Sequence, residues 1–372
     1  MKVESLFKII ESDFYTGVPD SLLKPLCDFL MKKYGIDRNH HVIAANEGNC
    51  VGLATGYHLA TSKIPVVYMQ NSGEGNVINP LASLANDKVY AIPIIFVIGW
   101  RGEPGFHDEP QHVFQGIVTE SLMNNMEVAT CVIDKMTSEE DVAKTMTSFK
   151  QLLSKGKQVA FIIKKGALEF ESEISYCNTY QLNREETIKH IISVTGDDPI
   201  VSTTGKISRE LFENRELKRE GHEKDFLTVG SMGHCSSIAL GIALNKSLKK
   251  IWCIDGDGAA LMHMGSMAVI GANNPSNLVH LVINNCAHDT VGGMPTVAEK
   301  IDFVGIAKAC GYINAVSVES LPELDQELHR AKERNELSFI EIKCKMGARS
   351  DLGRPTTTAI DNKKNFMKYL LE

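Results

Sequence analysis

The sequence predicts an α/β protein built from two related parallel-sheet domains. Three observations carry this: strand-like and helix-like segments alternate throughout, the chain resembles itself at an offset of half its length, and apolar runs end in glycine-containing polar turns.

Apolar, β-branched runs mark the strands. In the first half they are His41–Ala45, Pro65–Gln70, Ile94–Gly99, Ala129–Ile133 and Gln158–Lys164. In the second half they are Pro199–Ser202, Phe226–Val229, Lys250–Ile254, Leu278–Asn284, Ala315–Val318 and Ser338–Lys343. Helix-like segments lie between them, among them Pro25–Lys33, Glu139–Leu153, Glu185–Thr195 and Pro322–Glu333. Alternation of this kind reads as a parallel sheet covered on both faces. Polar residues dominate 169–183, which reads as a linker between domains 1–168 and 184–372.

Shifted by 185 residues, Gly48 to Gly73 falls on Gly233 to Gly258, with seven of 26 positions identical. Chance pairing gives roughly one or two. Both segments are a small-residue helix followed by an apolar strand ending in glycine, so the chain reads as two copies of one fold. The copies differ at polar positions. Asp257 stands opposite Ser72, and Glu47 opposite Met232. A cofactor held between two unequal halves would produce that asymmetry.

Composition narrows the function. A net charge of -7 with no long basic run argues against nucleic acid as a partner. None of the nine cysteines forms a CxxC pair, which fits free thiols in a reducing compartment. The N-terminal stretch carries acids and does not read as a secretory signal. No window reaches the roughly 20 apolar residues that span a bilayer. A cytoplasmic protein is expected.

The sharpest motif is Gly256-Asp257-Gly258 at a strand end, followed after 25 residues by Asn284-Asn285 at the end of the next strand. Ligands of open parallel sheets bind beyond the carboxyl ends of strands, so both clusters fall on one rim. A carboxylate, an amide oxygen and a nearby backbone carbonyl make a hard oxygen set suited to Mg²⁺, whose remaining ligands usually come from phosphates. Gly256 and Gly258 allow close approach of those phosphates at a helix N-terminus. Glu47, after the strand HVIAAN, opens a helix rich in Gly and Ala. The helix dipole alone would account for an acid there, at about 0.3–1 kcal/mol.

The strand–GDG–helix–strand–NN pattern resembles the fingerprint of thiamine-diphosphate enzymes, and implies the thiamine-diphosphate-binding fold. The resemblance implies Asp257, Asn285 and the carbonyl of Ala287 as metal ligands, with Asn284 the lesser candidate. It implies that the Gly230 carbonyl contacts the cofactor's amino group and that Met232 wedges the cofactor into a bent shape. Met232 is otherwise a buried residue at a helix start. Glu47 is implied as the residue that activates the aminopyrimidine. Thr204 and Gly205 are implied on the diphosphate side, as is Ala259, which stands where a hydroxyl residue is common. The first domain is then pyrimidine-binding and the second binds diphosphate and magnesium.

ANEGNCVGLATGYHLAT, YMQNSGEGNVINPLASLA, IGWRGEPGFHDEPQH, STTGKISRELFE and NNCAHDTVGGMPT are similar to the phosphonopyruvate decarboxylase family, with sulfopyruvate and other 2-keto-acid decarboxylases the alternative. The resemblance implies decarboxylation of 3-phosphonopyruvate to phosphonoacetaldehyde through the cofactor's ylide, in 2-aminoethylphosphonate biosynthesis. Arg101, His107 and His112 are candidates for the anionic substrate, or belong to a solvated loop. Lys206 binds diphosphate or phosphonate, or faces solvent. Asp20 lies near the active site or caps a helix. His288 is the candidate for proton transfer or phosphonate binding. Cys286 and Met294 stand where the family leads one to expect Gly and Gln. At least a homodimer is expected, with the Glu47 and Asp257 of one site coming from different chains.

Overall fold

A computed structural model describes residues 1–372. The chain divides into two compact units, Met1–Ser175 and Tyr176–Glu372. The first holds strands β1 (Tyr15–Gly17), β2 (His41–Ile43), β3 (Val66–Gln70), β4 (Ile95–Gly99), β5 (Ala129–Ile133) and β6 (Val159–Ile163). The second holds β7 (Ile200–Ser202), β8 (Asp225–Leu227), β9 (Ile251–Gly256), β10 (Leu278–Asn284), a two-stranded hairpin β11 (Ala287–His288) and β12 (Met294–Pro295), then β13 (Asn314–Val318) and β14 (Ser338–Lys343).

Each unit has one six-stranded sheet, all parallel, in the orders β2-β1-β3-β4-β6-β5 and β13-β14-β10-β9-β7-β8. Read from its other edge, the second sheet has the same connectivity as the first. The repeat found in the sequence is therefore a repeated topology: β1 and β7 begin at residues 15 and 200, and β3 and β9 at 66 and 251. The central strands β4, β6, β9 and β10 are buried almost end to end, which is why they read as predominantly apolar runs.

Helix ends follow local chemistry. Helix Glu139–Leu153 is capped by Ser138, whose side chain accepts from the Asp141 N–H, and carries three acids in its first turn. Helix Leu321–Glu333 opens with a Ser320/Glu323 capping box. Segment 169–183 contains no helix or strand, only bridges from Glu169 to Lys2 and from Leu182 to Cys344.

Two differences from the sequence reading have physical causes. Strand β1, interior in its sheet, is only three residues long, too short for any periodicity to show. Its Gly17 is required by packing, since a Cβ there would lie 2.3 Å from the Tyr68 carbonyl oxygen. Strand β8 begins earlier than expected, on an acid. Asp225 is fully buried because Arg215 forks onto both its oxygens at 2.9 and 3.0 Å.

No helix is long and apolar enough to cross a membrane.

Candidate active site

In both units the chemistry-bearing residues stand beyond the carboxyl ends of the parallel strands. In the first unit, Glu47 follows β2 and begins helix Glu47–Thr61, whose cap is Asn46. It is 5% exposed, and its Oε2 accepts a 2.7 Å hydrogen bond from Asn76 Nδ2. Burial pushes the Glu47 carboxyl above the usual carboxylate range, and the Asn76 amide pulls it back. The turn after β3 leaves room for this carboxyl only because residue 73 is glycine: a Cβ there would lie 2.4 Å from Glu47 Cγ. The next residue, Glu74, is buried with Oε1 unpartnered, and burial pushes its carboxyl to about 9.

Beyond β4, Arg101 opens the loop that leads into helix Pro110–Asn125. The loop is tied down rather than solvated. Asp108 accepts from Arg101 Nε at 2.8 Å, from Arg101 Nη2 at 2.5 Å and from the Gly102 N–H at 2.8 Å. The Arg101 charge is thus already matched by a carboxylate. His112 is half-buried in the first turn of that helix, with Nδ1 unpartnered, and burial lowers its basicity. His107 is exposed. Asp20 is fully buried and is not the cap of the helix that follows, which begins after Leu23; it braces the turn before it, Oδ2 accepting from the N–H groups of Leu22 and Leu23 and Oδ1 from Gln70 Nε2 at 2.6 Å.

In the second unit, Asp257 follows β9 and is 3% exposed. Its Oδ2 accepts a 2.6 Å hydrogen bond from Thr296 Oγ1, and the backbone N–H groups of Gly258 and Asn285 also face it. Burial pushes its carboxyl to about 7 despite these donors. The two asparagines ending β10 point to different tasks. Asn284 is fully engaged, with Nδ2 donating to Glu341 Oε1 at 2.7 Å and Oδ1 accepting from the Cys286 N–H. It borders a cavity of about 540 Å³ that also touches Glu341 and Lys343 and does not include Asp257. Asn285 instead lies beside Asp257, its Oδ1 bonded to the Ala287 N–H at 3.1 Å.

Cys286, which follows the two asparagines, adopts φ 58°, a left-handed conformation that favours glycine. That accounts for the glycine expected at this position. Its Sγ is held by Asn284 Oδ1 at 3.3 Å and Tyr180 Oη at 3.6 Å. The Thr296 N–H donates to the Cys286 carbonyl, which makes Ala287 and Pro295 a pair without mutual ladder bonds. The Ala287 carbonyl is therefore turned away from its partner strand. The desolvated Asp257 carboxylate, the Asn285 amide oxygen and the Ala287 carbonyl oxygen make a hard donor set that fits Mg²⁺.

His288 packs over Gly258, where a Cβ would meet its ring at 3.2 Å, and burial lowers its basicity to about 4. Beyond β7, Thr204 Oγ1 donates to the Val229 carbonyl at 2.8 Å. Gly205 at φ 93° turns the chain into helix Lys206–Lys218, whose free N-terminal N–H groups suit a diphosphate. Lys206 does not simply face solvent: Nζ is 3.6 Å from Asp289 Oδ2, which Arg184 also holds at 2.6 Å. Gly230 and Met232 lie in the turn before helix Cys235–Asn245, both half-buried. Met232 thus precedes the helix rather than starting it. Gly256 ends β9, and Ala259 is buried in the short helix that follows.

Sequence reasoning missed Asn76 and Thr296, the residues that hold the two acids. Asn76 sits in the quoted SGEGN run and Thr296 in MPT, but partners so far along the chain emerge only from the fold.

Comparison with known proteins agrees with this geometry. Residues 3–123 match the thiamine pyrophosphate enzyme N-terminal TPP binding domain, and residues 203–342 match the C-terminal TPP binding domain. The chain is 30% identical over 371 residues to a phosphonopyruvate decarboxylase of Streptomyces viridochromogenes, covering 95% of this chain and 90% of that one. It is 30% identical over 380 residues to a phosphonopyruvate decarboxylase of Streptomyces hygroscopicus, covering 96% and 90%. A sulfopyruvate decarboxylase of Methanosarcina acetivorans is 26% identical over 374 residues, covering 93% and 91%. Fold, site and similarity define the class, a thiamine-diphosphate-dependent 2-keto-acid decarboxylase. Within that class, the chain belongs to the phosphonopyruvate decarboxylase family of thiamine pyrophosphate enzymes.

Proposed function

We propose that this enzyme decarboxylates 3-phosphonopyruvate to phosphonoacetaldehyde and carbon dioxide, a step of 2-aminoethylphosphonate biosynthesis. The observation that carries this reading is the 30% identity to phosphonopyruvate decarboxylases over nearly the whole chain, against 26% for the sulfopyruvate decarboxylase.

When bound, thiamine diphosphate supplies the electron sink that accepts the electrons left behind by departing carbon dioxide. Unit 1, with the domain proposed as 1–168, would bind the pyrimidine. Unit 2, with the domain proposed as 184–372 after the 169–183 linker, would bind the diphosphate. Glu47 would hold the aminopyrimidine ring nitrogen, with Asn76 fixing the carboxyl's orientation. Asp257, the Asn285 amide oxygen and the Ala287 carbonyl would hold Mg²⁺. Gly256, Gly258, Ala259, Thr204 and Gly205 would line the diphosphate, and Gly230 and Met232 would shape the cofactor's bend. His288, uncharged at neutral pH, suits hydrogen bonding or proton acceptance better than anion binding. Arg101, His107, His112 and Lys206 are left as the groups that meet carboxylate and phosphonate, with Asp20 bracing the turn beside them.

Turnover of phosphonopyruvate, sulfopyruvate and pyruvate should be compared at equal enzyme concentration. A preference for phosphonopyruvate is expected, and faster turnover of either rival would overturn the substrate assignment. The assembly is proposed as at least a homodimer in which Glu47 and Asp257 of one site come from different chains. Co-expression of a Glu47→Gln chain with an Asp257→Ala chain tests this. Each homodimer should be inactive, while the mixed dimer should regain one intact site. A cytoplasmic location would keep the nine thiols reduced.

A further inference from the structure

We propose that Cys235, Cys253 and Asp255, bordered by His280, form a second metal site, buried within the C-terminal unit and suited to zinc. The topology gathers them. Cys253 and Asp255 alternate on one face of β9, and His280 on β10 is in register with Cys253. Cys235 begins the helix that packs on β9.

All four residues are at most 1% exposed. Cys235 Sγ, Cys253 Sγ and an Asp255 carboxylate oxygen lie within 4.8 Å of one another. The two sulfurs are 3.8 Å apart. Two thiolates on a tetrahedral zinc, each about 2.3 Å from the ion, are separated by about 3.8 Å. Asp255 Oδ1 accepts from the Gly256 N–H at 2.9 Å, whereas Oδ2 is buried without a hydrogen-bond partner. His280 Nε2 is likewise unpartnered and stands 3.5 Å from that oxygen. The other ring nitrogen, Nδ1, is fixed by Tyr312 Oη at 3.1 Å. A divalent cation would engage the Asp255 oxygen and the Nε2 edge of the ring together, while Tyr312 holds the other edge. A ring nitrogen held in this way is what orients a metal-binding histidine.

Two sulfurs beside an imidazole and a carboxylate select a thiophilic ion over Mg²⁺. Loading would release the two thiol protons to solvent as the ion exchanges its waters for protein ligands. The ion would clamp the strand ending at Gly256 to the helix that follows Gly230 and Met232. Two turns at the carboxyl rim would then be braced from within the core.

The test uses the full-length protein produced with zinc in the medium and dialysed against a chelator. Elemental analysis should find about one zinc per chain after magnesium has been removed. Protein produced with cobalt should show a thiolate-to-cobalt charge-transfer band, absent in Cys253→Ala and retained in Asp257→Ala. The second variant separates this site from the magnesium site. Should the cysteine variant fail to fold, the zinc content and the cobalt band of the unmodified chain decide alone. Zinc below about a tenth of an equivalent, a cobalt protein without a thiolate band, or intact mass showing a Cys235–Cys253 disulfide in place of metal would each overturn the proposal.

Discussion

The Thr296 hydroxyl donates a 2.6 Å hydrogen bond to the same Asp257 carboxylate that is proposed to hold magnesium. Thr296 arrives from the far side of the β11–β12 hairpin, 39 residues along the chain. Hydrogen bonds of this kind orient a metal-binding carboxylate, and their loss typically costs about 10–100-fold in metal affinity. Thr296→Val should therefore weaken Mg²⁺ binding about tenfold in calorimetry with thiamine diphosphate present, and Thr296→Ser should restore it. Equal affinity in the valine variant would remove Thr296 from the site.

A methyl group at residue 73 tests the position of Glu47. The backbone of Gly73, at φ -79°, would accept alanine, but the added Cβ would lie within 2.5 Å of the Glu47 carboxyl carbon. Displacement on this scale costs on the order of 100-fold in turnover. Gly73→Ala should lose that activity with an unchanged circular dichroism spectrum. Asn76→Ala is the milder change. It removes the donor that pulls the Glu47 carboxyl down, so the acidic limb of the kcat profile should move to higher pH.

Glu74 gives the chain a stability that falls as pH rises. The folded chain keeps the proton until about 9, whereas the unfolded chain releases it near 4.5. A raised pKa leaves stability intact below the unfolded value and removes about 1.4 kcal/mol per pH unit above it. Between about pH 5 and pH 8 this group should cost up to about 4 kcal/mol. Urea denaturation of Glu74→Gln should lack that slope. Parallel pH dependence in the two proteins would contradict it.

Asp108 has the opposite sign. Burial alone would raise its carboxyl, but Arg101 and the Gly102 N–H outweigh that and hold it at about 2. Its contribution is present above the ordinary value of 3.8 and disappears as pH falls through about 2. In thermal melts across that acid window, Asp108→Asn should lose this part of the pH dependence. At neutral pH it should free the Arg101 charge and change KM for an anionic substrate more than kcat.

The sequence was most legible where burial was complete. Strands β4 and β6 are unbroken apolar runs because both their faces are covered, and β9 and β10 depart from that only at Asp255, His280 and the strand ends. Asp257, Asn285 and Glu47 could be placed on the rim from the strand ends, and the roles expected of them came from the family resemblance. Residues that act on these groups from elsewhere could not. Asn76 is 29 residues from Glu47 along the chain, and their contact depends on how the turn after β3 folds back. The Arg101 loop read either as cations for the substrate or as a solvated loop, since the sequence did not show that Asp108 closes on the guanidinium. The Cys253, Asp255 and His280 cluster appears only once β9 and β10 are in register.

The shared connectivity of the two sheets has a consequence for how substitutions are tolerated. A doubled folding unit offers every rim location twice, and specialisation needs only one member of each pair. Ser72 and Asp257 occupy matching places, as do Met232 and Glu47. Deep mutational scanning should accordingly find Asp257 intolerant and Ser72 permissive, whereas Glu47 and Met232, each proposed to meet the cofactor, should both resist substitution.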